Sequence, residues 1–193
     1  MERIYALRKA AKDTGEPVIR DASFGLLLQT VREKQPKRIL EIGVNVGLSG
    51  IAMLLNSPDS RLTGIEISEE KIEAARKNYE TFGVKDRVRI LFGDASEILP
   101  LITAKYDFIF LDGPKGHYFE YLPHILSALD KGGILFADNV LFRGYVGGKV
   151  KVPHRHATIK HGMENFLKAL TSDKDLKTVV YDIEDGVSVT EKL

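Results

Sequence analysis

The sequence predicts an α/β fold: a seven-stranded sheet of five parallel strands plus a C-terminal antiparallel hairpin, with helices on both faces. Two observations predict it. Short β-branched runs recur along the chain with helical patterns between them, the rhythm of βαβ units and a parallel sheet. That rhythm breaks near the end, where Lys177–Asp182 and Val187–Thr190 flank Glu184-Asp185-Gly186; Asp-Gly between two such runs is a strong hairpin signal.

The strand runs are Arg38–Ile42, Leu62–Ile67, Val88–Phe92, Tyr106–Leu111 and Gly133–Ala137. The clearest helix runs from Ser68 to Phe82, with Ile72, Ala75, Tyr79 and Phe82 on one face. Ser68 suits an N-cap, and Glu69 and Glu70 suit the positive end of the helix dipole. Further helices are expected from Leu48-Ser49 onward, over Tyr118–Leu129 and over Ala157–Leu170, and two more, at about 2–13 and 21–34, precede the first strand. The 193 residues are read as one domain, 1–193, whose N-terminal helical segment 1–35 covers the sheet's open edge or its ligand crevice.

Composition narrows the function. The apolar fraction of 44% and charged fraction of 28% are those of an ordinary globular chain. A net charge of +1 provides no global field for nucleic acid or membrane. The absence of cysteine excludes disulfides, thiolate catalysis and Cys-ligated metals. No apolar run approaches a membrane span, and the first residues carry no signal core, so the expectation is a cytoplasmic protein without a membrane partner.

In doubly wound, Rossmann-like sheets, ligands bind where the carboxyl ends of the strands open at the switch point. The first strand leads into Glu41-Ile42-Gly43-Val44-Asn45-Val46-Gly47, and Ser49 opens the next helix. Glycines there let backbone approach a ligand closely. The spacing is not the dinucleotide G-x-G-x-x-G, because Asn45 stands where the middle glycine would be; a tight strand-to-helix turn would account for the pair equally well. Glu66 closes the second strand, where a carboxylate can accept both hydroxyls of an adenosine ribose. Gly93-Asp94-Ala95 follows the third strand, where an adenine edge would be read.

Leu111-Asp112-Gly113-Pro114-Lys115-Gly116-His117-Tyr118 follows the fourth strand and Ala137-Asp138-Asn139 the fifth, both on the crevice side. Two aspartates and an asparagine are hard oxygen ligands that suit Mg²⁺, or Mn²⁺ or Ca²⁺.

The order E-x-G-x-x-x-G, an acid closing the second strand, then G-D-A, resembles the class I methyltransferases. D-x-x-K-x-x-Y after the fourth strand and D-N after the fifth resemble the metal-dependent O-methyltransferases, the group of catechol and caffeoyl-coenzyme A O-methyltransferases and their bacterial relatives, over most of the chain from about Val18. The resemblance implies S-adenosylmethionine as cofactor, with Glu41, Gly43 and Ser49 at its methionine end, Glu66 on the ribose, Asp94 and Ala95 on the adenine, and Asn45, Gly47 and Asp112 completing the contact set. It implies Asp112, Asp138 and Asn139 as metal ligands, Lys115 as the base and a homodimer. A cation beside Lys115 would depress its pKa and fit it to accept a proton. Tyr118 matches a recurrent position and is read as packing or orientation. The chain departs from small-molecule enzymes of the group in its short N-terminal region, its lack of tryptophan and Gly113-Pro114 in the metal loop.

The acceptor implied first is a small catechol-like aromatic. Between Val140 and Gly162 there is no acidic residue, while Arg143, Lys149, Lys151, Arg155 and Lys160 are basic. That stretch suits a polyanion, and it resembles the relatives that methylate tRNA 5-hydroxyuridine at the wobble position, so tRNA bound through 140–162 is the alternative. A solvated basic loop is the plain reading of the same charges. His154, His156 and His161 lack the spacing of a zinc site. A nicotinamide-dependent oxidoreductase on a similar sheet would require G-x-G-x-x-G and leaves Asp138-Asn139 unexplained.

Overall fold

The computed structural model describes residues 2–148 and 150–193; Lys149, counted above in the basic stretch, lies outside the described residues. Helices α1 (Glu2–Asp13) and α2 (Asp21–Lys34) precede β1 (Arg38–Ile42). Then come α3 (Leu48–Asn56), β2 (Arg61–Glu66), α4 (Glu69–Thr81), β3 (Val88–Phe92), a short α5 (Ala95–Ile98) and β4 (Tyr106–Leu111). The chain finishes with α6 (Tyr118–Ala128), β5 (Leu129–Asp138), α7 (Ala157–Ser172), β6 (Leu176–Tyr181) and β7 (Val187–Lys192).

The seven strands form one sheet in the order β3-β2-β1-β4-β5-β7-β6. β1 to β5 are parallel, and β7 runs antiparallel between β5 and β6. The expected five-plus-hairpin architecture is therefore the observed one. The central strands β1 and β4 are buried on both faces over Ile39–Ile42 and Phe108–Leu111, which is why their sequences are apolar at nearly every one of those positions rather than alternating. Strand order reverses at β1, so the crevice opens between the carboxyl ends of β1 and β4.

Period-two alternation divides the core. Ile39, Phe108, Phe110, Ile134 and Phe136 pack against α2, α3 and α4 on one face. Leu40, Ile42, Ile109, Leu111 and Leu135 pack against α6 and α7 on the other. Ser68 caps α4 as expected, its hydroxyl accepting the Lys71 N–H at 3.4 Å, and Ile72, Ala75 and Tyr79 are the buried face.

Two elements differ from the sequence reading. β5 starts at Leu129 rather than Gly133, because Leu129 pairs with Tyr106 ahead of a register shift and Gly132 absorbs the irregularity at φ +79°. The four-residue α5 follows from Asp94, whose side chain accepts the Ser96 N–H at 2.8 Å and caps it. No helix among the described residues is long and apolar enough to cross a membrane.

Candidate active site

A cavity of about 490 Å³ lies at the carboxyl ends of β1, β2, β4 and β5, a size suited to a cofactor-class ligand. It brings together Gly43, Asn45, Glu66, Asp94, Ala95, Asp112, Lys115, Asp138 and Asn139 of the residues expected from sequence. Ser49 lines a smaller hollow that adjoins it beside Gly43, Asn45 and Asp112.

Gly43 shows why the loop needs glycine. Its φ is +93°, and a Cβ there would sit 2.7 Å from the Asp112 carbonyl oxygen. The loops after β1 and β4 touch at that point, and no side chain fits between them. Asn45 adopts φ +48° and turns its own N–H toward Glu66.

Glu66 is held by the backbone around it. Its Oε2 accepts the Asn45 N–H at 2.8 Å, and its Oε1 accepts the Ile67 and Ser68 N–H groups at 3.0 Å each. The carboxylate is thus fixed, while its remaining lone pairs can still accept hydroxyl protons. Asp94 Oδ1 accepts from both the Ser96 N–H and hydroxyl, which holds its pKa below the ordinary aspartate value.

Two residues of the expected cofactor set line neither the cavity nor the adjoining hollow. Glu41 shares its face of β1 with Ile39, so alternation sends its side chain into the α3–α4 layer. It is fully buried, with neither oxygen in a well-formed hydrogen bond, against Gly50 and the Tyr79 hydroxyl. Burial above all, then the Asp112 and Glu66 carboxylates, pushes its pKa well above the ordinary value. The expected placement of Glu41 at the methionine end is not reflected in the cavity lining: parity turns its side chain behind the loop. Gly47, at the start of α3, backs onto the Tyr79 ring and likewise does not line the cavity.

The chemical end of the crevice is built differently. Lys115 donates to Asp112 Oδ1 at 2.6 Å and to the Tyr118 hydroxyl at 3.1 Å. The Tyr118 hydroxyl lies 3.1 Å from the carbonyl oxygens of both Leu111 and Asp138, sharing its single proton between the ends of β4 and β5. Tyr118, wholly buried against Phe166, therefore orients the site, as read from sequence. Burial alone would lower the Lys115 pKa, but Tyr118 and Asp112 outweigh it and hold the ammonium above the ordinary lysine value. Asp138 is 1% exposed and its Oδ1 has no partner; burial and the Asp112 carboxylate push it up to about 6.

This donor set fits a divalent cation. Asp112, Asp138 and the Asn139 amide are hard oxygen donors on one cavity, and an orphaned buried carboxylate oxygen is what a cation would satisfy. Among the described residues no cluster of three or more His, Cys, Asp or Glu could hold a metal, which is consistent with a set in which an asparagine supplies one donor. His156 packs its ring on Tyr145 and against Phe142.

Sequence reasoning did not single out the strap Pro17-Val18-Ile19-Arg20, which lines the cavity between α1 and α2. The break between two helical patterns at Gly15-Glu16-Pro17 was its only signal. Asn45 Nδ2 donates to the Pro17 carbonyl at 2.9 Å, and Lys71 pairs with Glu16 at 2.5 Å. Tyr121, one turn beyond His117, also lines the cavity and had no local signal.

The O-methyltransferase family model matches residues 7–193. A caffeoyl-CoA O-methyltransferase of Citrus natsudaidai is 28% identical over 166 residues, 81% of this chain and 72% of that protein. The S-adenosylhomocysteine-bound methyltransferase PaMTH1 of Podospora anserina superposes with a TM-score of 0.82 at 28% identity, covering 100% of this chain and 86% of that one. The O-methyltransferase TomG of Streptomyces achromogenes, in complex with S-adenosylmethionine, gives 0.86 at 26% identity, covering 100% and 90%. Sequence, sheet order and crevice agree: the chain belongs to the O-methyltransferase family, on the class I fold of the S-adenosylmethionine-dependent enzymes.

Proposed function

We propose that this enzyme transfers the methyl group of S-adenosylmethionine to a hydroxyl of a small catechol-like aromatic, with a divalent cation held by Asp112, Asp138 and Asn139. The observation that carries it is the convergence of Glu66 and Asp94 with Asp112, Lys115 and Asp138 on one cavity. Glu66 would take the ribose hydroxyls, and Ala95 and Asp94 would meet the adenine. The sulfonium methyl is already activated, so the protein's task is to line up an oxygen nucleophile and remove its proton. The cation, when bound, supplies positive charge that lowers the pKa of an acceptor hydroxyl. Asp112 and Asp138 orient the acceptor's oxygens through their fixed positions on β4 and β5. Lys115 is ion-paired with Asp112, one of the residues that would hold the cation; a cation there would weaken that pair and lower the ammonium's pKa, so that Nζ, once its own proton has passed to solvent, could take the proton of the acceptor hydroxyl. Tyr118 keeps Nζ aimed. Relatives named for caffeoyl-CoA support an aromatic acceptor.

A second reading, the same transfer to tRNA 5-hydroxyuridine, is favoured by one observation. Arg143, Lys151 and Arg155 are exposed on the segment that leaves Asn139, and no carboxylate lies between 140 and 162. Lys160 is paired with Glu164 and adds less. Labelled S-adenosylmethionine offered with a catechol, and separately with tRNA carrying 5-hydroxyuridine, decides between them. Label on the catechol, abolished by a chelator, is expected; label on tRNA alone selects the second reading, and label unaffected by the chelator removes the cation.

A further inference from the structure

The hairpin turn between β6 and β7 makes contacts that no catalytic role explains. Glu184 Oε1 accepts the Ala22 N–H at 3.2 Å and Oε2 the Ser23 N–H at 3.0 Å. These are orphan amides at the start of α2, a helix whose own N-cap residue, Arg20, supplies no side-chain hydrogen bond. The cap comes instead from a carboxylate about 160 residues away in sequence. The Ser23 side chain, 1% exposed, lies against the Glu184 carboxylate on one side and that of Asp138 on the other.

The next residues hold the opposite wall. Asp185 Oδ1 accepts the Arg143 N–H at 2.8 Å, its carbonyl accepts the Leu141 N–H at 2.8 Å, and the Gly186 carbonyl accepts the Val140 N–H at 3.0 Å. Arg20 reaches Asp185 Oδ2 at 3.5 Å. A Cβ on Gly186, at φ +81°, would lie 2.2 Å from Leu141 Cγ, so the turn is seated directly on that segment. Of the six non-glycine residues with positive φ among those described, four belong to this assembly: Asn139, Phe142, Arg143 and Glu184. Such backbone costs energy and persists only where surroundings enforce it.

We propose that Glu184 is a positioning residue: by capping α2 it fixes the strap Pro17–Arg20 over the cofactor, and the turn it belongs to ties that strap to the wall that carries Asp138 and Asn139. The strap is then pinned at three places, by Lys71 at Glu16, by Asn45 at Pro17 and by Glu184 at Ala22 and Ser23. The proposal rests on the cofactor reading of the cavity. Substituting Glu184 leaves the cavity's own lining intact and loosens only what covers it.

Calorimetric titration of the full chain with S-adenosylhomocysteine, well below each variant's melting temperature, tests it. Glu184→Ala is expected to weaken binding about tenfold, and Glu184→Gln, which keeps one acceptor oxygen for the amides, to recover part of that loss. Hydrogen exchange at the Ala22 and Ser23 amides should accelerate in the alanine variant and less in the glutamine one. If Glu184→Ala does not fold, Glu184→Gln and Ser23→Ala carry the test through the same titration. Affinity within about twofold of wild type in a folded Glu184→Ala, or no recovery in Glu184→Gln, overturns the positioning role. Failure of the wild type to bind S-adenosylhomocysteine would instead overturn the cofactor reading itself.

Discussion

Glu66, at the end of β2, receives three backbone N–H groups, whereas Asp138, at the end of β5, has a buried oxygen that receives none. The two carboxylates line one cavity, yet one is fully prepared by the chain and the other is left in want of a partner. On the β1–β2 side the carboxylate is desolvated and repaid locally, so a ligand meets a fixed surface with little reorganisation. On the β4–β5 side Asp112 and Asp138 repel one another, and Lys115 pairs directly with the first and acts on the second only through space. Leaving a buried carboxylate oxygen unpaired is costly, and a binding partner removes that cost. On the proposed function, the first half recognises and the second reacts.

Breaking the reactive half should give the largest effect. Asp138→Ala is expected to cut methyl transfer by about a hundredfold or more, with S-adenosylhomocysteine affinity by calorimetry close to wild type because Glu66 and Asp94 are untouched. An equal loss of both would mean that the halves are not separate. Lys115→Met should lower kcat by about 10²-fold without weakening cofactor binding; a change confined to KM would make the lysine an acceptor-binding group. Breaking the recognising half should show the converse. Glu66→Ala is expected to raise the dissociation constant for S-adenosylhomocysteine about tenfold or more, with kcat at saturating cofactor much less altered.

The smallest effect concerns Glu41, behind the loop. Its folded pKa is raised above its unfolded value, so the native state retains a proton that the unfolded chain has released. Stability from this group is therefore full at low pH and lost as pH rises above the ordinary glutamate range. Glu41→Gln removes that dependence, and thermal melts should show the variant gaining on wild type by a few degrees between acid and neutral pH. A difference that stays constant with pH would show that Glu41 is not held protonated.

Much of the architecture was legible because the sheet is buried on both faces. Arg38–Ile42 and Tyr106–Leu111 read as strands since Ile39–Ile42 and Phe108–Leu111 are buried under one helical layer or the other. Ser68 announced α4 because a cap is a local device. The cavity-lining set was legible because strand ends deliver loops to one rim. Glu41 was not, because whether a strand-end acid faces ligand or core turns on parity, and a loop motif does not fix parity. Gly15–Arg20 and the Glu184 turn were not, because their meaning lies in contacts with residues far along the chain. The Lys115–Asp112 ion pair was not legible either, because a loop motif does not say which neighbour a side chain will meet.

Gly43 has a consequence for how such a crevice can vary over evolutionary time. With the Asp112 carbonyl 2.7 Å from where a Cβ would stand, the loop after β1 and the loop after β4 meet with no room for a side chain between them. Neither can be lengthened, shifted or given bulk at that boundary without displacing the other. The backbone of the strap and of the segment after Asn139 is itself pinned by the Glu184 turn, so change there is left to exposed side chains such as Arg143 and Arg155.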